Sequence, residues 1–129
     1  MIYLDTSAVL AHLLGEDRSP PASIWGEPLI SSRLLEYEAW TRIHRMNLTT
    51  THSEPLRLLL GRLAWIELSR PVLARALEPF PTPVRTLDAL HLASIEFLRR
   101  ENQDVELATY DERILKAAKR IGVTILDLP

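Results

Sequence analysis

The sequence predicts an α/β fold, with a central parallel sheet and helices on both of its faces. Two features of the 129 residues carry that expectation. Short apolar runs of strand length alternate along the chain with longer segments of helical periodicity. Parallel neighbours also need a crossover between them, and the helical segments supply one in each interval.

The elements follow in order. Ile2-Tyr3-Leu4 is a continuous apolar run, as expected of a strand buried on both faces. Ser7 to Leu14 has a helical pattern that ends near Gly15, and Asp17 to Pro21 breaks it. Pro21 to Gly26 is a short helix with Trp25 turned to the core. Leu29-Ile30-Ser31 is a second strand, and Ser32 caps a helix from Arg33 to about Met46. Ser53-Glu54-Pro55 reads as the next helix start, Ser at the cap and Pro in the first turn, with the helix running to about Leu63. Trp65-Ile66-Glu67-Leu68 alternates like a strand, and Pro71 opens a short helix to Leu77. Glu78 to Pro83 is proline-rich and is read as a loop. A helix begins at Thr86 or Leu87 and reaches Arg100. Val105 to Ala108 is a strand, Asp111 to Ile121 a helix stopped by Gly122, and Val123 to Leu126 the last strand.

Composition narrows the class. A chain of 129 residues is expected to form one domain, residues 1–129, with a hydrophobic core. No cysteine is present, so disulfides, thiolate zinc sites and cysteine nucleophiles drop out, in keeping with a reducing cytoplasm. No apolar stretch approaches a membrane span of about 20 residues, and the N-terminus lacks the basic n-region and small-residue cleavage site of a signal peptide, so Ile2 to Leu4 are expected to belong to the mature fold. A net charge of −2 argues against non-specific nucleic-acid coating, which wants a basic domain, but leaves enzymes acting on nucleic acid open.

Parallel α/β sheets bind ligands at the carboxyl ends of their strands. Asp5 stands at such an end, and Asp111 lies just past another. Glu38 falls inside the helix after the second strand, and Asp88 at the start of the Leu87–Arg100 helix. Four carboxylates brought to one edge repel each other unless a cation joins them. Carboxylate oxygens suit Mg²⁺ or Mn²⁺ better than zinc, and such an ion activates water in phosphodiester hydrolysis. A metal-dependent nuclease is the inference.

Each acid also has a structural reading. Asp5 and Asp111 are good N-caps, Thr6 could cap in place of Asp5, and Asp88 suits the first turn of its helix. Glu36 competes with Glu38, because the stripe Leu35, Ala39, Ile43 and Met46 leaves the two on opposite flanks and periodicity does not separate them. Glu36 has the simpler explanation near the first turn, which slightly favours Glu38. His91 lies one turn beyond Asp88, read either as a packed histidine or as one touching the site. Arg85 is the basic residue chosen for a substrate phosphate; the cations Arg42, His44 and Arg45 read mainly as a solvated helix end. Leu56, Leu58, Leu59, Leu60 and Leu63 exceed one narrow stripe, so they bury either a second core face or a protein partner. Trp40 sits in the core or at a dimer seam.

Four segments together resemble the PIN-domain family, and within it the VapC toxins: MIYLDTSAVL, ISSRLLEYEAWTRIHR, RTLDALHLASIEFLRR and LATYDERILKAAKRIGVTIL. Only about Thr50 to Pro83 lacks a diagnostic motif. The resemblance implies a three-layer α/β/α fold and makes Asp5, Glu38, Asp88 and Asp111 the catalytic, metal-holding acids, which settles the tie against Glu36. It places Thr6 and Thr109 beside the site, orienting acids or water. It further implies an Mg²⁺- or Mn²⁺-dependent ribonuclease that cleaves RNA and stops translation, a VapB-type antitoxin covering the site, and a homodimer. The alternatives are a PIN nuclease of RNA processing or of DNA, and a non-catalytic binding domain whose acids only cap helices. Response-regulator and haloacid-dehalogenase readings fail, because Thr6-Ser7 follows Asp5 where a second acid is needed and no acid pair precedes it.

Overall fold

A computed structural model describes residues 1–129. Its strands are β1 (Ile2–Leu4), β2 (Leu29–Ser32), β3 (Leu63–Ile66), β4 (Glu106–Ala108) and β5 (Thr124–Ile125). They form one sheet in the order β3-β2-β1-β4-β5, and every neighbouring pair is parallel. The helices are α1 (Thr6–Leu13), α2 (Arg33–Arg45), α3 (Thr49–Leu60), α4 (Arg70–Ala76), α5 (Thr86–Arg100) and α6 (Glu112–Arg120), with a 3-10 turn at Ala22–Gly26.

Alternation along the strands sorts the helices into two layers. Ile2, Leu4, Leu29 and Leu63 join one core with Val9 of α1, Leu35 and Ile43 of α2, and Leu56 and Leu60 of α3. Tyr3, Ile30, Ile66 and Leu107 face the other, with Val72 of α4, Leu92 and Ile95 of α5, and Ile114 of α6. The three-layer α/β/α expectation is met. The crossovers leave β1 toward β2 and β3, then return to add β4 on its other side. Right-handed crossovers must change face when the direction of strand addition reverses, so the second half of the chain covers the opposite side. The gap between β1 and β4 is therefore a topological switch point, the usual place for a ligand in an open sheet.

Two elements depart from the sequence reading. The third helix begins at Thr49, not at Ser53, and Pro55 lies inside it. The Ser53 hydroxyl donates to the Thr49 carbonyl one turn back, so it caps nothing. Leu56, Leu59 and Leu60 are buried while Leu58 is 66% exposed, so most of the leucine excess packs inside the protein. The helix ends at Leu60, and Leu63 opens β3 in register with Leu29, two residues ahead of the expected strand. Pairing with β2 decides that register, and periodicity within Trp65–Leu68 could not see the partner.

Candidate active site

The four acids line one cavity of about 230 Å³ at the switch point, together with Thr6, Ser7, Glu16, Arg42 and His91. Their placement follows from the strands. Leu4 is level with Ala108 across the parallel β1–β4 pair, so Asp5 and the Thr109-Tyr110-Asp111 segment leave the sheet side by side. The Asp5 backbone N–H donates to the Ala108 carbonyl at 3.2 Å and ties the two exits together.

Asp5 is the N-cap of α1, and its Oδ1 accepts from the Ala8 N–H at 3.3 Å and the Ser7 hydroxyl at 2.6 Å. It is only 2% exposed. Burial pushes its carboxyl above the ordinary carboxylate range. His91 nearby, the Ser7 and Thr109 hydroxyls and the Ala8 N–H pull it back without cancelling that effect. Thr6 does not cap; its hydroxyl donates to Glu38 Oε1 at 2.6 Å.

Glu38 also receives the His91 ring nitrogen Nε2 at 2.8 Å on the same oxygen. Burial raises the Glu38 carboxyl, but the His91 contact, the Thr6 hydroxyl and the Arg42 charge outweigh it and hold the group below its usual range. Glu36 points elsewhere, paired with Arg33 at 3.3 Å. Asp88 stands in the first turn of α5 and its Oδ2 accepts the Arg85 backbone N–H at 3.0 Å. Asp111 caps α6, Oδ1 accepting from the Arg113 and Ile114 N–H groups at 2.9 and 3.1 Å. The Thr109 hydroxyl accepts the Asp111 N–H at 2.9 Å, so it shapes the turn into α6.

Capping and cavity lining thus coexist in three of the acids. Every hydrogen bond to the four carboxylates uses one oxygen, and the second oxygen of each is left without one. Four half-committed carboxylates form an all-oxygen donor set, which suits a hard divalent cation. No three Asp, Glu or His side chains are gathered tightly enough to make a ready cage. Mg²⁺ commonly keeps several waters and takes only one or two protein carboxylates directly, so the donor chemistry fits without a closed cage.

Arg85, the basic residue expected to meet a substrate phosphate, does not line the acidic cavity. Arg85 lines a separate apolar cavity of about 580 Å³ between α4, the α4–α5 loop and α5. Arg42, one turn beyond Glu38 on α2, is the arginine that lines the acidic cavity. Its i+4 spacing from Glu38 was the available signal. Ser7 and Glu16, which the sequence reading did not single out, line the same cavity. Ser7 bridges the two strand exits, donating to Asp5 and accepting the Tyr110 N–H at 2.8 Å.

The family model for the PIN domain matches residues 2–120. The chain belongs to the PIN-domain family. Within it the likeness is to VapC proteins. The chain is 32% identical over 129 residues to ribonuclease VapC47 of Mycobacterium tuberculosis, covering 95% of this chain and 93% of the relative. Ribonuclease VapC46 of the same organism is 30% identical, with 97% and 95% covered. Two solved structures share the PIN fold over the full length of both chains. One is VapBC2 from Rickettsia felis bound to a DNA fragment from its promoter, with a TM-score of 0.72 at 18% identity. The other is VapC20 of Mycobacterium tuberculosis, described as a toxin that cleaves the sarcin-ricin loop, with a TM-score of 0.72 at 16% identity. No helix of this PIN domain is long and apolar enough to cross a membrane.

Proposed function

We propose that this VapC-family protein is a metal-dependent endoribonuclease toxin, held inactive by a VapB-type antitoxin and acting in the cytoplasm to stop translation. The observation that carries the reading is the set of four carboxylates on one cavity at the β1–β4 switch point, each with an uncommitted oxygen. The names of the VapC relatives support ribonuclease activity, and the VapBC complex supports an antitoxin partner.

Asp5, Glu38, Asp88 and Asp111 would hold Mg²⁺ or Mn²⁺. When bound, the ion lowers the pKa of water and stabilises charge on the phosphodiester oxygens. The residues of the chain do the rest. Ser7 and the Ala8 N–H fix Asp5, and the cap bonds fix Asp88 and Asp111, so the carboxylates are held before substrate arrives. Arg42 lines the same cavity without an ion-pair partner among the salt bridges. A guanidinium there suits a bridging phosphate, which it can grip through two parallel hydrogen bonds. No covalent enzyme intermediate is required. The toxin is taken to be a homodimer that joins its antitoxin in a larger complex.

The test is cleavage of a mixed pool of cellular RNA by the antitoxin-free protein with Mg²⁺ or Mn²⁺. Discrete fragments should appear, vanish with EDTA, and fall by at least about 100-fold with Asp5→Asn, the order of loss when preorganised charge at a reacting centre is removed. Cleavage that persists in EDTA would eliminate the metal. Equal cleavage by Asp5→Asn would eliminate the cavity.

A further inference from the structure

We propose that His91 is a positioning residue that locks the Glu38 carboxylate, turning one oxygen to the protein and leaving the other for the divalent ion. The inference rests on the metal-site reading above and deepens it. His91 lies on α5, one turn beyond Asp88, and is 2% exposed. An ordinary buried histidine satisfies one ring nitrogen locally. Here both nitrogens reach side chains on other elements. Nε2 is 2.8 Å from Glu38 Oε1 on α2, and Nδ1 is 2.7 Å from the Tyr3 hydroxyl on β1.

The chemistry of the partners orders the protons. An ionised carboxylate only accepts, so Nε2 carries a hydrogen and donates to Glu38. The phenol of Tyr3, fully buried at the sheet centre, closes the other side of the ring. Thr6 donates to the same Glu38 oxygen at 2.6 Å and stands 3.2 Å from Nε2. Oε1 is thus held by two donors from α1 and α5, while Oε2 has no hydrogen-bond partner. A free glutamate spreads over many rotamers, and ordering it costs conformational entropy. The chain Tyr3–His91–Glu38 meets that cost before the ion arrives, and it links the strand that leads into Asp5 to the helix that carries Asp88. Partners that orient metal-holding side chains are worth about 10- to 100-fold in metal affinity.

The experiment is Mn²⁺ titration of the metal-free full-length protein, followed by the electron paramagnetic resonance signal of free Mn²⁺. Wild type, His91→Leu, His91→Gln, Tyr3→Phe and Asp5→Asn are compared, with thermal unfolding of each in the absence of metal. Leucine fills the space and cannot donate; the glutamine amide can reach Oε1 in place of Nε2. His91→Leu should bind Mn²⁺ about 10- to 100-fold more weakly, the range for losing an orienting partner. His91→Gln should recover affinity to within a few fold. Unchanged affinity in His91→Leu, or a glutamine variant no better than leucine, overturns the role. Should His91→Leu fail to fold, Tyr3→Phe decides: it keeps the ring but frees Nδ1, and wild-type affinity there overturns the proposal. Asp5→Asn separates the two levels. If it loses the ion while His91→Leu keeps it, only the His91 role fails. If it binds like wild type, or wild type binds no Mn²⁺, the metal-site reading fails and the His91 proposal with it.

Discussion

Asp5, Asp88 and Asp111 each divide their two oxygens, one bonded to a helix N-terminus and one left over on the cavity. This division makes the structural and functional readings compatible, and single substitutions can separate them. Asp111 is the clearest case, because its Oδ1 takes two backbone N–H groups at the start of α6. Asp111→Asn keeps a capping oxygen and should hold metal-free stability within a few tenths of a kcal/mol, whereas Asp111→Ala should lose about 1 kcal/mol. Both should gain less from Mn²⁺ in thermal unfolding than wild type. An asparagine variant with the full Mn²⁺ gain would leave Asp111 as a cap alone. These acids were legible in the sequence because strand ends and helix starts are local features. Glu38 was only slightly favoured over Glu36 by position and was settled by the resemblance, since a helix face says nothing about what stands opposite. The His91 contacts were hidden for the same reason: Tyr3 and Glu38 are 88 and 53 residues away along the chain.

At the scale of single elements, α3 shows how packing overrides local signals. Ser-Glu-Pro marks a helix start in isolation, but the helix begins four residues earlier and carries Pro55 within it. Burial of Leu56, Leu59 and Leu60 against α1 and α2 outweighs the backbone bond that proline cannot make. An interior proline costs about 3 kcal/mol relative to alanine in a helix, part of which is returned by its restriction of the unfolded chain. Pro55→Ala should therefore raise stability by about 1–2 kcal/mol in urea denaturation. No gain would mean that Pro55 is unstrained where it sits. The short helix α4 shows the opposite case. Pro71 falls at its first turn, where no N–H is needed, and there the sequence signal and the structure agree.

At the scale of the molecule, the site exists because the strand order reverses. β1 lies in the middle of the sheet, with the first half of the chain on one side and the second half on the other. Asp5 and Glu38 come from the first half, Asp88 and Asp111 from the second, so neither half holds the acid set alone. Both cores must be intact to keep the halves in register. Leu35, fully buried on the core face of α2, tests this remotely. Leu35→Ala should cost about 2–5 kcal/mol in urea denaturation, the range for deleting a buried leucine side chain. A cost below about 1 kcal/mol would mean that the α1–α2–α3 layer collapses around the deletion and gives the site no rigid support.

The sequence by itself determined the α/β class, most element positions, the family and the four candidate acids. These rest on periodicity, turn chemistry and motif, which are local along the chain. Tertiary structure alone decided that Asp5 caps while Thr6 turns to Glu38, that Arg42 and not Arg85 lines the acidic cavity, and that His91 joins Tyr3 to Glu38. Each of those outcomes depends on which strands are neighbours and which helix faces meet. Parallel pairing brings together residues far apart in sequence, and no local pattern records their distance in space.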